Sequence, residues 1–274
     1  MSKRHLLKIF NHIKLCRYFK MSQIDPEKDD ECWILLVSFM IVAMQLFLQS
    51  LNEISDMRID YNLSRLPDDM LPAKDPYLLF QLWFQEAANN PGIKEANAMN
   101  LATASKDGVP SARWVLLKGY SNKGFRFFTN YDSQKGKELN ENPNAALTFY
   151  WEPLQKQIRI TGRVEKISKE ESTEYFHSRP FASQIGALVS CNQSSAIPSE
   201  QYLEERRKKL TEEFSGKVVP KPDNWGGYLL TPKDFEFWCG GSGRIHDRIK
   251  FVQSSNYEHQ QTGENGWSYV RLSP

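Results

Sequence analysis

The sequence predicts a mainly β fold with flanking helices, an α+β chain whose strands close, or nearly close, into an antiparallel barrel. Two observations carry this. Short runs rich in β-branched and aromatic residues follow one another from residue 99 to residue 167, and tight-turn signals at Lys106-Asp107-Gly108 and Asn122-Lys123-Gly124 join them. Helical periodicity is confined to segments before and after this series.

Taken in order, residues 1–56 read as an N-terminal extension and residues 57–274 as a self-sufficient domain. The first 24 residues carry Lys3, Arg4, Lys8, Lys14, Arg17 and Lys20 and no acid, which suits a cationic amphipathic presequence. The apolar run from Cys32 to Leu48, interrupted only by Ser38 and Gln45, sits at the lower limit of the roughly 17 to 25 residues that span a membrane. It reads as a single anchor, as a buried helix, or as an extension from an alternative transcript or start.

Within the domain, Asp75-Pro76 followed by Leu78, Leu79, Phe80, Leu82, Trp83, Phe84 and Ala87 predicts an N-capped amphipathic helix. Strands are expected at Met99–Ser105, Ser111–Tyr120, Phe125–Asn130, Ala145–Trp151 and Gln157–Ile167. Helices follow at Lys169–His177 and Ser199–Phe214, the latter with a charge run that reads as a solvated face. The last strands are expected around Phe235–Trp238, Arg244–Ile249 and Trp267–Leu272.

Composition narrows the function. With 35 basic and 33 acidic residues, the net charge of +2 does not suggest a nucleic-acid partner. The cysteines Cys16, Cys32, Cys191 and Cys239 form no C-x-x-C pair, so neither a metal site nor a disulfide framework is indicated. A reducing, cytoplasmic compartment follows, with a mitochondrial or membrane-anchored form left open by the extension.

Four segments suggest phosphate chemistry. In Arg244-Ile-His-Asp-Arg248, a strand period puts Arg244, His246 and Arg248 on one face, after a loop containing Gly240, Gly241 and Gly243 that lets backbone approach a ligand. A solvated edge strand is the bland alternative. Arg113 and Lys118 bracket an apolar strand on opposite faces, so they share one ligand only across a bulge or the strand end. Ser133-Gln-Lys135 opens a short helix whose free N–H groups favour an anion. Tyr175 and Arg179 share a helix face, with Ser183 just beyond Pro180; they could hold a phosphate, or form a surface stacking pair.

Eight motifs in unbroken order over residues 57–274 resemble the pyridoxine/pyridoxamine 5'-phosphate oxidase family: Arg113-Trp-Val-Leu-Leu-Lys118, Gly124-Phe-Arg-Phe-Phe-Thr-Asn130, Tyr175-Phe-His-Ser-Arg-Pro180, Ser183-Gln-Ile-Gly186, Trp225-Gly-Gly-Tyr228, Phe235-Glu-Phe-Trp238, Arg244-Ile-His-Asp-Arg248 and Arg271-Leu-Ser-Pro274. The resemblance implies an FMN-binding split-barrel homodimer that oxidises pyridoxamine and pyridoxine 5'-phosphate to pyridoxal 5'-phosphate, with O2 as the final acceptor. It implies that Arg113, Trp114, Val115, Leu116, Leu117, Lys118, Phe128, Thr129, Lys135, Gln157, Gln193, Ser194, Trp225 and Arg248 hold FMN. Lys118, Tyr175, Arg179, Ser183, Arg244 and His246 would hold substrate, Arg58 and Tyr61 would close over it, and Arg244 and His246 would act at the reacting ring.

The chain departs from the family pattern in three places. Gln134 stands where the family has Arg, removing one charge-assisted bond to the FMN phosphate, roughly 1.5 to 3 kcal/mol. Ser190-Cys191-Asn192 is one residue longer, which leaves the register of Gln193 and Ser194 open. Gly241-Ser242-Gly243 replaces a bulkier loop, implying a more mobile lid. The rival readings are another split-barrel flavoprotein, such as a flavin reductase or a haem-handling relative, and a non-catalytic pyridoxal-phosphate carrier.

Overall fold

The computed structural model describes Ser38 and residues 59–274 apart from residues 64, 68–70, 191, 255 and 256. The expected presequence, the apolar run at 32–48 save Ser38, and Arg58 lie outside the described residues. Among the described residues no helix is long and apolar enough to cross a membrane.

Helix α1 (Pro76–Asn89) starts where Asp75 accepts the N–H groups of Tyr77 and Leu78 and proline occupies the first turn. Its buried face, Leu79, Phe80, Trp83 and Ala87, plugs the sheet. There Phe80 meets Phe125 and Phe149 edge-on at 4.9 and 5.4 Å, and Trp83 meets Phe237 at 5.3 Å. Each such ring contributes about 1.5 to 3 kcal/mol by leaving water.

Ten strands form one antiparallel sheet: β1 (Ala98–Ala104), β2 (Pro110–Leu116), β3 (Gly119–Ser121), β4 (Gly124–Asn130), β5 (Asn144–Trp151), β6 (Lys156–Lys166), β7 (Trp225–Cys239), β8 (Asp247–Val252), β9 (Gln261–Thr262) and β10 (Ser268–Arg271). Inward positions alternate strictly in β1 and β5, as a barrel wall requires. The split arises in β7. One edge follows β6 along its length, while the other pairs β4 through Trp225–Leu230 and then β8 through Asp234–Cys239. The β6–β7 register shifts at Thr161/Gly162, where a Cβ on Gly162 would lie 2.2 Å from the Thr231 carbonyl oxygen; only glycine fits.

Helix α2 (Gln134–Glu141) follows β4, and α3 (Lys169–Ser178), α4 (Phe181–Val189) and α5 (Glu200–Glu213) lie between β6 and β7. A second core of Phe176, Ile185, Ala187, Val219 and Trp225 anchors α3 and α4. Helix α5 buries none of its residues, in keeping with its charge run.

Three expectations need correction. Arg244, His246 and Arg248 do not share one strand face: β8 begins at Asp247, and Ser242–Arg244 forms a 3-10 turn in which Arg244 has φ +68. The clustered glycines favour a turn there over an extended edge. The expected strand Ser111–Tyr120 breaks after Leu116, so Lys118 sits past the end of β2, bonded through its N–H to the Arg126 carbonyl. Ser183 lies inside α4, which sequence reasoning missed although Phe181, Ile185 and Leu188 carry helical spacing after Pro180.

Candidate functional site

The first cluster forms where β2, β4 and α2 meet. Ser133 caps α2, its Oγ accepting the Gly136 N–H, and this sets the helix start beside Thr129. Lys135 Nζ lies 3.3 Å from Thr129 Oγ1, 3.4 Å from Ser133 Oγ and 3.3 Å from Gln193 Oε1. All three partners are neutral. The Gln134 N–H donates to Ser194 Oγ at 3.3 Å, so Gln193 and Ser194 both reach α2 despite the longer loop. Burial, and then the like charge of Arg113, push the Lys135 amine below its usual range, with Glu138 opposing.

Arg113 is held within the protein. Its Nη1 donates to the Leu101 carbonyl and Thr103 Oγ1, and its Nη2 to Ser111 Oγ and Glu138 Oε2. Glu138 is 8% exposed. Burial works against its ionisation, yet hydrogen bonds from Ser111, Thr103 and Gln134 and the charge of Arg113 pull its carboxyl down to about 2. Gln134 donates to Glu138 Oε1 at 3.0 Å, one helical turn away.

A second cluster sits on α3. Tyr175 stacks on Phe128 at 3.8 Å, and Phe128 on Trp225 at 5.5 Å. Arg179 lies 4.8 Å over the Trp225 ring, and its Nη1 is buried with no hydrogen-bond partner. Burial lowers the guanidinium's pKa and raises that of the Tyr175 hydroxyl, which therefore stays protonated as a donor. Trp225 thus stands behind Phe128 and Arg179 at 7% exposure, on a different element from Lys135. Ser183, half-buried on the first turn of α4, follows within four residues of Arg179.

The third cluster is the tip of the β7–β8 hairpin. The Gly241 N–H donates to His246 Nδ1 at 3.2 Å, which assigns the neutral ring proton to Nε2. A Cβ on Gly241 would lie 2.0 Å from the Ile245 carbonyl oxygen, so glycine alone permits this turn. Trp238, a residue that sequence reasoning did not place in the site, packs against His246 at 4.8 Å and against Tyr61 at 5.6 Å. Its place at the end of the Phe235-Glu-Phe-Trp238 motif, directly ahead of the glycine loop, was the available signal.

The segment before α1 fastens this tip. Asp60 accepts from Ser242 Oγ at 2.9 Å and from the Gly243 N–H at 3.2 Å, and Gln155 Oε1 takes the N–H groups of Asn62 and Leu63. These bonds tie the Gly241-Ser242-Gly243 turn to the segment before α1. Arg248 is bound by Glu236, and Arg244 is exposed.

On β2, Trp114 is 65% exposed and lines a cavity of about 460 Å³ with Val115, Leu116, Tyr150 and Pro153. Leu117 and Lys118 line a second of about 500 Å³. The first of these open, partly apolar grooves lies on the edge strand that carries Arg113, and the second lies just past its end.

Comparison with known proteins places these clusters in a family. The family described as pyridoxamine 5'-phosphate oxidase matches residues 85–211, and the pyridoxine 5'-phosphate oxidase C-terminal dimerisation region matches residues 225–274. Pyridoxine-5'-phosphate oxidase of Bos taurus is 52% identical over 210 residues, covering 74% of this chain and 80% of its own. Pyridoxine/pyridoxamine 5'-phosphate oxidase of Bombyx mori is 45% identical over 256 residues, covering 89% of this chain and 99% of its own. Among solved structures, PhzG from Burkholderia lata 383 in complex with tetrahydrophenazine-1-carboxylic acid superposes with a TM-score of 0.68 at 27% identity, covering 77% of this chain and 98% of that one. The split barrel, the motif order and these relatives together show that the chain belongs to the pyridoxine/pyridoxamine 5'-phosphate oxidase family.

Proposed function

We propose that this chain oxidises pyridoxamine 5'-phosphate and pyridoxine 5'-phosphate to pyridoxal 5'-phosphate in a homodimer that holds FMN. The observation that carries this reading is that Lys135 and Arg179, both partly buried cations, form no ion pair among the described residues. A cation kept from water without a counter-ion is costly unless an anion completes it. One phosphate for each cluster fits the donor chemistry present.

The residues fit FMN in kind. Lys135, Thr129, Gln193 and Ser194 offer a cation and neutral polar groups to a phosphate, and Arg113 adds positive charge from behind. Exposed Trp114 and Lys118, with half-buried Val115 and Leu116 between them, offer an edge to the ring system, while Leu117 is buried behind them. The dimerisation region begins at Trp225 and includes Gln157's strand neighbour Trp238 as well as Arg248, which supports a site completed by a second copy. When bound, FMN would supply a two-electron acceptor, with O2 as the final oxidant and hydrogen peroxide as its product.

The chain's own residues position the substrate. Arg179, Tyr175, Ser183 and Lys118 would grip its phosphate, spending remote binding energy on alignment at the reacting carbon. His246, with Nδ1 engaged by Gly241, presents Nε2–H as a donor to the substrate's ring oxygen. Arg244, exposed beside it, supplies positive charge to the same region. Tyr61 and Trp238 wall the ring from water.

The test is direct. Purified chain is expected to take up FMN, turn yellow and release peroxide with pyridoxamine 5'-phosphate. Lys135→Met should weaken FMN binding by about 50-fold, the worth of a charge-assisted bond. A colourless preparation that binds pyridoxal phosphate but yields no peroxide would favour the carrier reading instead.

A further inference from the structure

A buried carboxylate that the proposed chemistry does not use lies directly behind Arg248. Glu236, on β7, is 4% exposed. Its Oε1 accepts from Arg248 Nε at 2.9 Å and lies 2.8 Å from Arg248 Nη2, and its Oε2 accepts from Arg159 Nη2 on the opposite neighbouring strand. The strand register explains the meeting: Glu236 pairs with Arg159 across β6–β7 and sits diagonally from Arg248 across β7–β8. The third nitrogen of Arg248, Nη1, donates to the Ser273 carbonyl at 2.8 Å.

Nε and Nη1 each donate one hydrogen bond and Nη2 stands in ion-pair contact with the same carboxylate, which leaves at least one N–H on each Nη uncommitted. Because the guanidinium is planar, fixing Nε, Nη2 and Nη1 fixes where the remaining two point. We propose that Glu236 is a positioning residue for the flavin: it orients the Arg248 fork so that its two remaining donors meet the bound cofactor. Arg159 grips the other carboxylate oxygen, so Glu236 is fixed from both sides and holds Arg248 without needing a ligand. The inference rests on the reading that Arg248 contacts FMN.

The experiment measures FMN dissociation constants of the apoprotein by quenching of flavin fluorescence, together with the unfolding midpoint of each apoprotein. Glu236→Gln keeps the shape and an acceptor oxygen but removes the charge that binds the fork. It should raise the FMN dissociation constant about tenfold. Arg248→Ala should raise it at least as far, and the double variant should match Arg248→Ala alone, because nothing is left to orient. An additive double variant, or an unchanged constant in Glu236→Gln beside a raised one in Arg248→Ala, overturns the positioning role while leaving the flavin reading intact. A native apoprotein that does not bind FMN overturns both. Should Glu236→Gln fail to fold, Arg248→Lys carries the test, since a point charge cannot be oriented as a fork. Affinity falling as in Arg248→Ala supports the proposal, and native affinity overturns it.

Discussion

Lys135 on α2 and Arg248 on β8 are both half-buried cations, yet the fold treats them in opposite ways. Lys135 is surrounded by a hydroxyl on either side and an amide oxygen, and burial depresses its pKa. Arg248 is saturated on one side by the Glu236 carboxylate. The same division recurs elsewhere. Arg179 keeps a buried Nη1 with no partner, whereas Arg65 and Arg271 close on Asp247 with N–O distances of 2.7 Å each. On the proposed reading, a cation without a counter-ion is where a ligand supplies the missing charge, whereas a cation clamped by a buried carboxylate is either frame, as Arg65 and Arg271 are on Asp247, or a donor fork oriented in advance, as Arg248 is on Glu236.

The sharpest way to break this comparison is to remove one cation of the first kind. Arg179→Met keeps the bulk over Trp225 but deletes the charge. We expect KM for pyridoxamine 5'-phosphate to rise on the order of 100-fold, the worth of a buried charge-assisted phosphate contact. FMN affinity should be unchanged and the apoprotein's unfolding midpoint should hold, because the unliganded state loses only an uncompensated buried charge. A large fall in that midpoint would mean that Arg179 belongs to the frame. The counterpart is Asp247→Asn. Asp247 is 4% exposed, and although burial opposes its ionisation, Arg65, the Leu66 N–H and Arg271 lower its pKa. Its loss takes the carboxylate away from both guanidiniums and should lower apoprotein stability by about 2 kcal/mol in urea titration.

How much of this was legible depended on range. The N-cap at Asp75, the hairpin turns and the period-two strands were readable because each is set by neighbours within a few residues. Tyr175 and Arg179 both meet Trp225, but Arg179 is the extended C-cap of α3 and not on its helical face, so helical spacing alone did not give their arrangement. Two further things were not readable. The glycines at 240, 241 and 243 turn the chain where a regular alternation suggested a strand, since a run of residues with free φ outweighs the pattern of a few side chains. The clamps were hidden as well. Glu236 meets Arg159 and Arg248 only through the register of three strands, and Asp247 meets Arg65 and Arg271 through residues far apart in the chain. Resemblance supplied Gln193 and Ser194 with an open register, and the contacts with Lys135 and Gln134 are what bring them to α2.

Acid offers a smaller, graded test of the first cluster. The Glu138 carboxyl is depressed from 4.5 to about 2, so the folded state favours its ionised form. A depressed carboxylate contributes stability that is complete above the unfolded value and is lost as pH falls toward the folded one. The stability that native chain holds over Glu138→Gln should therefore be constant above about pH 5 and shrink steadily from there toward pH 2. A gap that stayed constant through pH 3 would show that the carboxylate's partners do not hold its charge.

The smallest expected effect is also the one most particular to this chain. Gln134 is exposed at the first position of α2, one residue from Lys135, and its amide is engaged with Glu138. Gln134→Arg would place a second cation at a helix N-terminus already occupied by Lys135 and backed by Arg113, which disfavours it in the apoprotein. Two opposing terms then decide the outcome. An arginine can pair with Glu138 one turn on, replacing the amide's bond, and its remaining donors can join the phosphate when FMN binds. Since the repulsion is relieved only in the bound state, the net effect should fall on affinity: FMN binding about fivefold tighter, with an apoprotein midpoint equal to or slightly below the native one. The gain should shrink as salt is raised, because the site is partly open to solvent. Tighter binding that ignored salt would locate the new contact away from the phosphate, and no gain at all would mean that Lys135 already meets the anion's charge alone.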